Sequence, residues 1–148
     1  MIASRASEIA KPDDITIDNP ALDAQQTPDQ VWALIDSLAI VDNKSKIVAC
    51  SKALHHLLPD LVVPIDQVFT RTFFGLHVPE FYGKNQPQQS VFTQMFLTFV
   101  RIAQTAAVNS YVVNSSVDTE QPWRTSRSKV IDNAIVGFCV AKGLPTPS

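Results

Sequence analysis

The chain has 148 residues, 45% hydrophobic, 18% charged and 8% aromatic, which suits one globular domain with a single core and excludes a collagenous or wholly disordered chain. Lys and Arg total 12 against 14 Asp and Glu, a net charge of −2, so no global basic field attracts nucleic acid and any polyanion site must be local. Cys50 and Cys139 are too few for a disulfide framework or a four-cysteine metal site, and the first residues hold no apolar run of signal-peptide length, so a cytoplasmic protein is expected.

Residues 1–26 combine Pro12 and Pro20 with Glu8, Asp13, Asp14, Asp18 and Asp23 and few apolar side chains, which reads as a loose N-terminal arm before a domain over 27–148. Thr27-Pro28-Asp29-Gln30 is a helix start: Thr27 can cap, Pro28 loses nothing at the first helical position, and Gln30 can complete a capping box. Val31, Trp32, Leu34, Ile35, Leu38 and Ala39 then recur at helical spacing over about 28–40. After a polar turn at 41–44, a second helix runs to about Leu58 and ends at Pro59, with Ile47, Cys50, Ser51, Leu54, Leu57 and Leu58 facing inward. Lys52, His55 and His56 share its flank. The run 61–64 is bracketed by Pro59 and Pro64 and has no partner strand, so it reads as an extended connector.

Asp66 is placed to cap a helix of about two turns that closes at Gly75 and is anchored by Val68, Phe69, Phe73 and Leu76. The longest helical pattern, about 90–109, carries Phe92, Phe96 and Phe99 on its buried side and a thin polar line of Gln94, Thr98, Arg101 and Thr105. That polar line rules out a membrane span. A last helix runs from about Ser126 to Ala141, with Gly143 as its stop. The whole is expected to be an all-α, single compact domain of five or six helices.

Chemistry concentrates in two places. The first is the flank of Lys52, His55 and His56, suited to binding a phosphate or a carboxylate, with Asp66 ten residues further on; if the fold brings a histidine near Asp66, it can serve as an acid or base near neutral pH. The second is Trp123-Arg124-Thr125-Ser126-Arg127-Ser128-Lys129, which is dense in cations and hydroxyls at a helix start and offers Trp123 for stacking. Cations there oppose the helix dipole unless an anion is present. His55, His56, His77 and Cys50 have no metal-ligand spacing, and neither a nucleophile elbow nor a phosphate or dinucleotide glycine loop occurs, so no metal and no cofactor are expected.

The run LAIVDNKSKIVACSKALHHLLPDLVVPIDQVFTRTFFGL resembles helix-hairpin-helix DNA glycosylases of the endonuclease III type. Two helices joined by a hairpin near residues 28–58 are followed by an apolar connector and an Asp in Ile65-Asp66-Gln67-Val68. The resemblance implies base excision with Asp66 as the catalytic carboxylate, DNA as partner, and Lys52, His56, Arg71, Trp123, Arg124, Arg127 and Lys129 as anion contacts. The glycine-rich hairpin of the family is replaced by residues 40–44. Val48 stands where bifunctional members keep a Schiff-base lysine, with Lys46 two residues away. The stretch SKALHHLLPDLVVPID also resembles uncharacterised bacterial proteins with an S-K-x-L-H signature before P-x-x-x-P-x-x-D. The alternative is a non-catalytic helical module that binds a protein partner, or a subunit of a larger assembly, in which the same residues are caps and surface charges.

Overall fold

A computed structural model describes residues 15–38, 46–77, 88–105 and 126–144, which form five α-helices and no strand. The helices are α1 (Gln26–Ser37), α2 (Lys46–Leu57), α3 (Phe69–Phe73), α4 (Gln88–Ala103) and α5 (Arg127–Ala141). The all-α class expected from the patterning is what these residues build. The connection 39–45, where the hairpin was expected, lies outside the described residues, as do 106–109 at the end of the long helical pattern.

Helix α4 is central because its apolar residues recur often enough to meet three neighbours. It packs against α1, α2 and α5. Phe92, Phe96 and Phe99 are each 2% exposed or less, and removing an aromatic side chain of that size from water contributes about 1.5–3 kcal/mol. Trp32 of α1 meets Phe92 at a centroid distance of 5.7 Å, and Phe74, just after α3, meets Phe99 edge-on at 5.5 Å. The polar line holds, with Gln94, Arg101 and Thr105 exposed.

The start of α1 differs from the expected one. Thr27 is buried, and the capping oxygen is Asp23 Oδ1, which accepts from the amides of Gln25 and Gln26 at 2.8 Å each. Those two bonds favour the ionised carboxylate and hold the Asp23 pKa below its usual value. Of the arm expected over 1–26, residues 1–14 lie outside the described residues, and the described part is held against the domain. Ile17 is wholly buried in the core and its amide donates to Asp60 O at 2.9 Å. In α2 the inward residues Ile47, Cys50, Ser51 and Leu54 are buried, but Leu57 is 53% exposed, because the helix ends there and the chain turns away into Pro59.

The connector after α2 starts with a turn at 58–61, where the amides of Leu61 and Val62 donate to Leu58 O, and continues without regular secondary structure to Asp66; Leu61, Val62, Val63 and Ile65 are all buried. Its backbone is tied to α2 by the Ile65 amide, which donates to Ser51 Oγ at 3.0 Å. Helix α3 is shorter than expected, five residues, and closes as predicted at Gly75. There φ is +64°, and the amide of Leu76 donates back to Arg71 O. Helix α3 packs on α5, and Phe73 meets Phe138 edge-on at 5.5 Å. Helix α5 ends the same way at Gly143, φ +61°, with Leu144 N donating to Cys139 O.

Candidate functional site

The α2–connector–α3 path brings the first chemical cluster to one side, and α5 closes it from the other. The result is a cleft of about 590 Å³, within the size range of small-molecule sites. Its polar residues are Lys52, His55 and His56 from α2, Asp66 from the connector, and Lys129 and Asp132 from α5. Pro59, Pro64, Phe69 and Val136 supply the apolar part of the wall.

Asp66 is held by the start of α3. Its Oδ1 accepts from Val68 N at 2.7 Å and Phe69 N at 2.9 Å, while its own amide donates to Thr70 Oγ1 at 2.9 Å. This is the cap the sequence predicts. It uses one carboxylate oxygen and leaves Oδ2 on the cleft side, 3.7 Å from Lys52 Nζ. Both side chains are partly solvated, so this pair is a loose electrostatic contact and not a closed bridge.

His55 is more tightly held than its neighbour His56. His55 Nδ1 lies 2.9 Å from Val62 O and 3.1 Å from the buried Ser128 Oγ. Ser128 Oγ in turn donates to Pro59 O. His56 is exposed at the rim, its ring centroid 5.8 Å from that of His55. Across the cleft Lys129 Nζ pairs with Asp132 Oδ2 at 2.6 Å, one helical turn apart.

The second chemical cluster divides. Trp123 and Arg124 lie outside the described residues. Ser126 caps α5, its Oγ accepting from Lys129 N. Arg127 turns away from the cleft and is taken by the protein's own carboxylates: Nε is 2.8 Å from Asp18 Oδ2, Nη1 is 3.7 Å from Asp60 Oδ1, and the Arg127 amide donates to Asp60 Oδ1 at 3.2 Å. The anion that the dipole of α5 calls for is therefore Asp60. Asp18 Oδ1 and Arg127 Nε have no aligned hydrogen bond among the described residues, so the contact with Asp18 is mainly Coulombic. Arg71 also lies off the cleft, its Nε donating to Gln67 O at 3.0 Å.

Of the residues expected to act together, Asp66, Lys52, His56 and Lys129 line one cleft, and Arg71 and Arg127 do not. Sequence reasoning missed Asp132, although its position three residues after Lys129 on a helix was a usable signal. It also missed the fixing of His55, which depends on Ser128, 73 residues away. Among the described residues no group of His, Cys, Asp and Glu could hold a metal ion, and no helix is long and apolar enough to cross a membrane. Cys50 and Cys139 are buried free thiols, and burial pushes both pKa values up. Comparison with known proteins gives no match to any family model, any curated protein or any solved structure.

Proposed function

We propose that the chain is a nucleic-acid-binding helical domain that takes one extruded nucleotide into the cleft, with base excision at Asp66 as its chemistry. The observation that carries this reading is the convergence of Asp66, Lys52, His56 and Lys129 on one cleft, from positions up to 77 residues apart in the chain. Two backbone amides fix Asp66 Oδ1, so the orientation of Oδ2 is set before any ligand arrives. Beside an extruded nucleotide that carboxylate offsets positive charge developing on the sugar. The C1′–N bond breaks with its electron pair leaving on the base, water adds to C1′, and Asp66 takes the proton that the water releases.

The test is binding of the purified protein to a fluorescent duplex carrying an abasic-site analogue, beside an intact duplex, at low and moderate salt. Preferential binding that weakens with salt is expected. Asp66→Asn should then abolish base release while leaving the fold intact, since Asn keeps the capping oxygen. Absence of binding even at low salt sinks the reading. A second reading, a helical module that docks a protein, draws on Phe138 and Val140 of α5, which are 45% and 57% exposed, and it takes over if both duplexes are ignored.

A further inference from the structure

The way His55 is held fixes which of its ring nitrogens carries a proton. Val62 O can only accept, so the nitrogen facing it at 2.9 Å, Nδ1, is the protonated one. Ser128 agrees with this assignment, because its hydroxyl hydrogen goes to Pro59 O and its oxygen is left as a second acceptor for Nδ1–H. Nε2 of the neutral ring therefore bears a lone pair, and no described residue bonds to it while His55 lines the cleft. Protonation of Nε2 turns His55 into a cation without breaking either contact at Nδ1.

The charges around this nitrogen give the proton a consequence. Facing His55 are Lys52 and His56 on α2, Asp66 on the connector, and Lys129 and Asp132 on α5. Asp60, next to Pro59, is taken by Arg127. Two lysines cancel two aspartates, so the sign of the cleft is set by its histidines. With both histidines neutral the cleft is balanced, and a proton on His55 makes it net positive and adds an N–H donor to a wall that also carries the Lys52 and Lys129 ammonium groups. That donor set suits a tetrahedral oxyanion. The volume, about 590 Å³, exceeds what a bare oxyanion needs, and Pro59, Pro64, Phe69 and Val136 offer apolar wall to an organic body attached to it.

We infer that the cleft is a proton-linked phosphate site: it binds a phosphate monoester of nucleoside size, and binding loads a proton onto His55 Nε2. This goes beyond the proposed function, because a nucleotide within a strand carries phosphodiesters and not a monoester; it rests on the same cleft but does not depend on Asp66 chemistry.

The experiment titrates the full chain with thymidine 5′-monophosphate and with thymidine by calorimetry. In parallel it titrates sulfate, whose charge is constant in this range, at about pH 6 and about pH 8, followed by the histidine ring signals in NMR. The monophosphate should bind and thymidine should not. Sulfate should bind roughly tenfold tighter at the lower pH, the direction required when the complex holds one more proton than the free protein. His55→Asn should remove most of that pH dependence, leaving the smaller part that His56 at the rim supplies, because the Asn amide replaces Nδ1–H toward Val62 O and nothing replaces Nε2. A thermal melt confirms that this variant folds, and Lys129→Gln provides a second variant, expected to weaken the monophosphate at every pH.

Equal binding of thymidine and its monophosphate, binding of neither, or a pH dependence as large in His55→Asn as in the parent protein overturns the inference. Monophosphate binding without preference for the abasic duplex removes the nucleic-acid reading alone. Duplex preference without phosphate or proton dependence removes this inference alone.

Discussion

Helices α3 and α5 begin with the same ingredients, an aspartate at the helix start and a basic side chain within reach, and put them to different uses. At α3 Asp66 gives one oxygen to two backbone amides and keeps the other in the cleft, 3.7 Å from a half-exposed lysine. At α5 the aspartate comes from the connector. Asp60 accepts from the Arg127 amide, stands near its guanidinium and leaves that guanidinium to reach on to Asp18. The first arrangement has spare bonding capacity facing a cavity. The second is a joint that ties the segment around Ile17 and the connector to α5. Charge composition alone does not separate a site from a joint; the number of contacts already made does.

The sharpest way to break this contrast is Arg127→Ala. It leaves Asp18 and Asp60 without the cation they share, and Asp18 and Arg127 have side chains only 14% and 26% exposed. A loss of about 2 kcal/mol in urea unfolding is expected, between the limits for exposed and buried pairs. A change within experimental error shows that the joint is ornamental. Asp66→Ala should cost about 1 kcal/mol by removing the cap of α3, whereas Asp66→Asn should stay within a few tenths. Comparable losses in both variants mean that the second oxygen is also structural, which would remove it from the cleft chemistry.

The smallest effect belongs to a third helix start. Asp23 caps α1 in solvent, and its folded pKa is lowered by the amides of Gln26 and Gln25. A depressed folded pKa means the stabilisation is present above the ordinary aspartate value and is lost as pH falls through the folded one. Hydrogen exchange at the Gln25 and Gln26 amides, corrected for intrinsic rates, should therefore lose protection in acid before the helices of the core do. Unchanged protection there contradicts Asp23 as the cap.

Much of the fold follows from local rules. The breaks at Pro59, Gly75 and Gly143, the cap at Asp66, and the buried side of α4 are all consequences of backbone chemistry or of a 3.6-residue period. The start of α1 was misread because Thr27 and Asp23 are both good capping residues and only burial of Thr27 decides between them. Leu57 was misread because helical periodicity continues to the last turn even where no neighbour remains to cover it.

The sequence by itself determined which segments are helical, most of the points where they break, which of their faces are apolar, and that Lys52, His55 and His56 share a flank, since each of these depends on residues within a turn or two of one another. Only the tertiary structure decided that Lys129 and Asp132 close the cleft, that Ser128 and Val62 fix the ring of His55, and that Arg127 is consumed by Asp18 and Asp60. Those outcomes depend on how α5 lies against the connector and the segment around Ile17, a placement governed by burial of apolar surface across the whole chain and not by any local spacing.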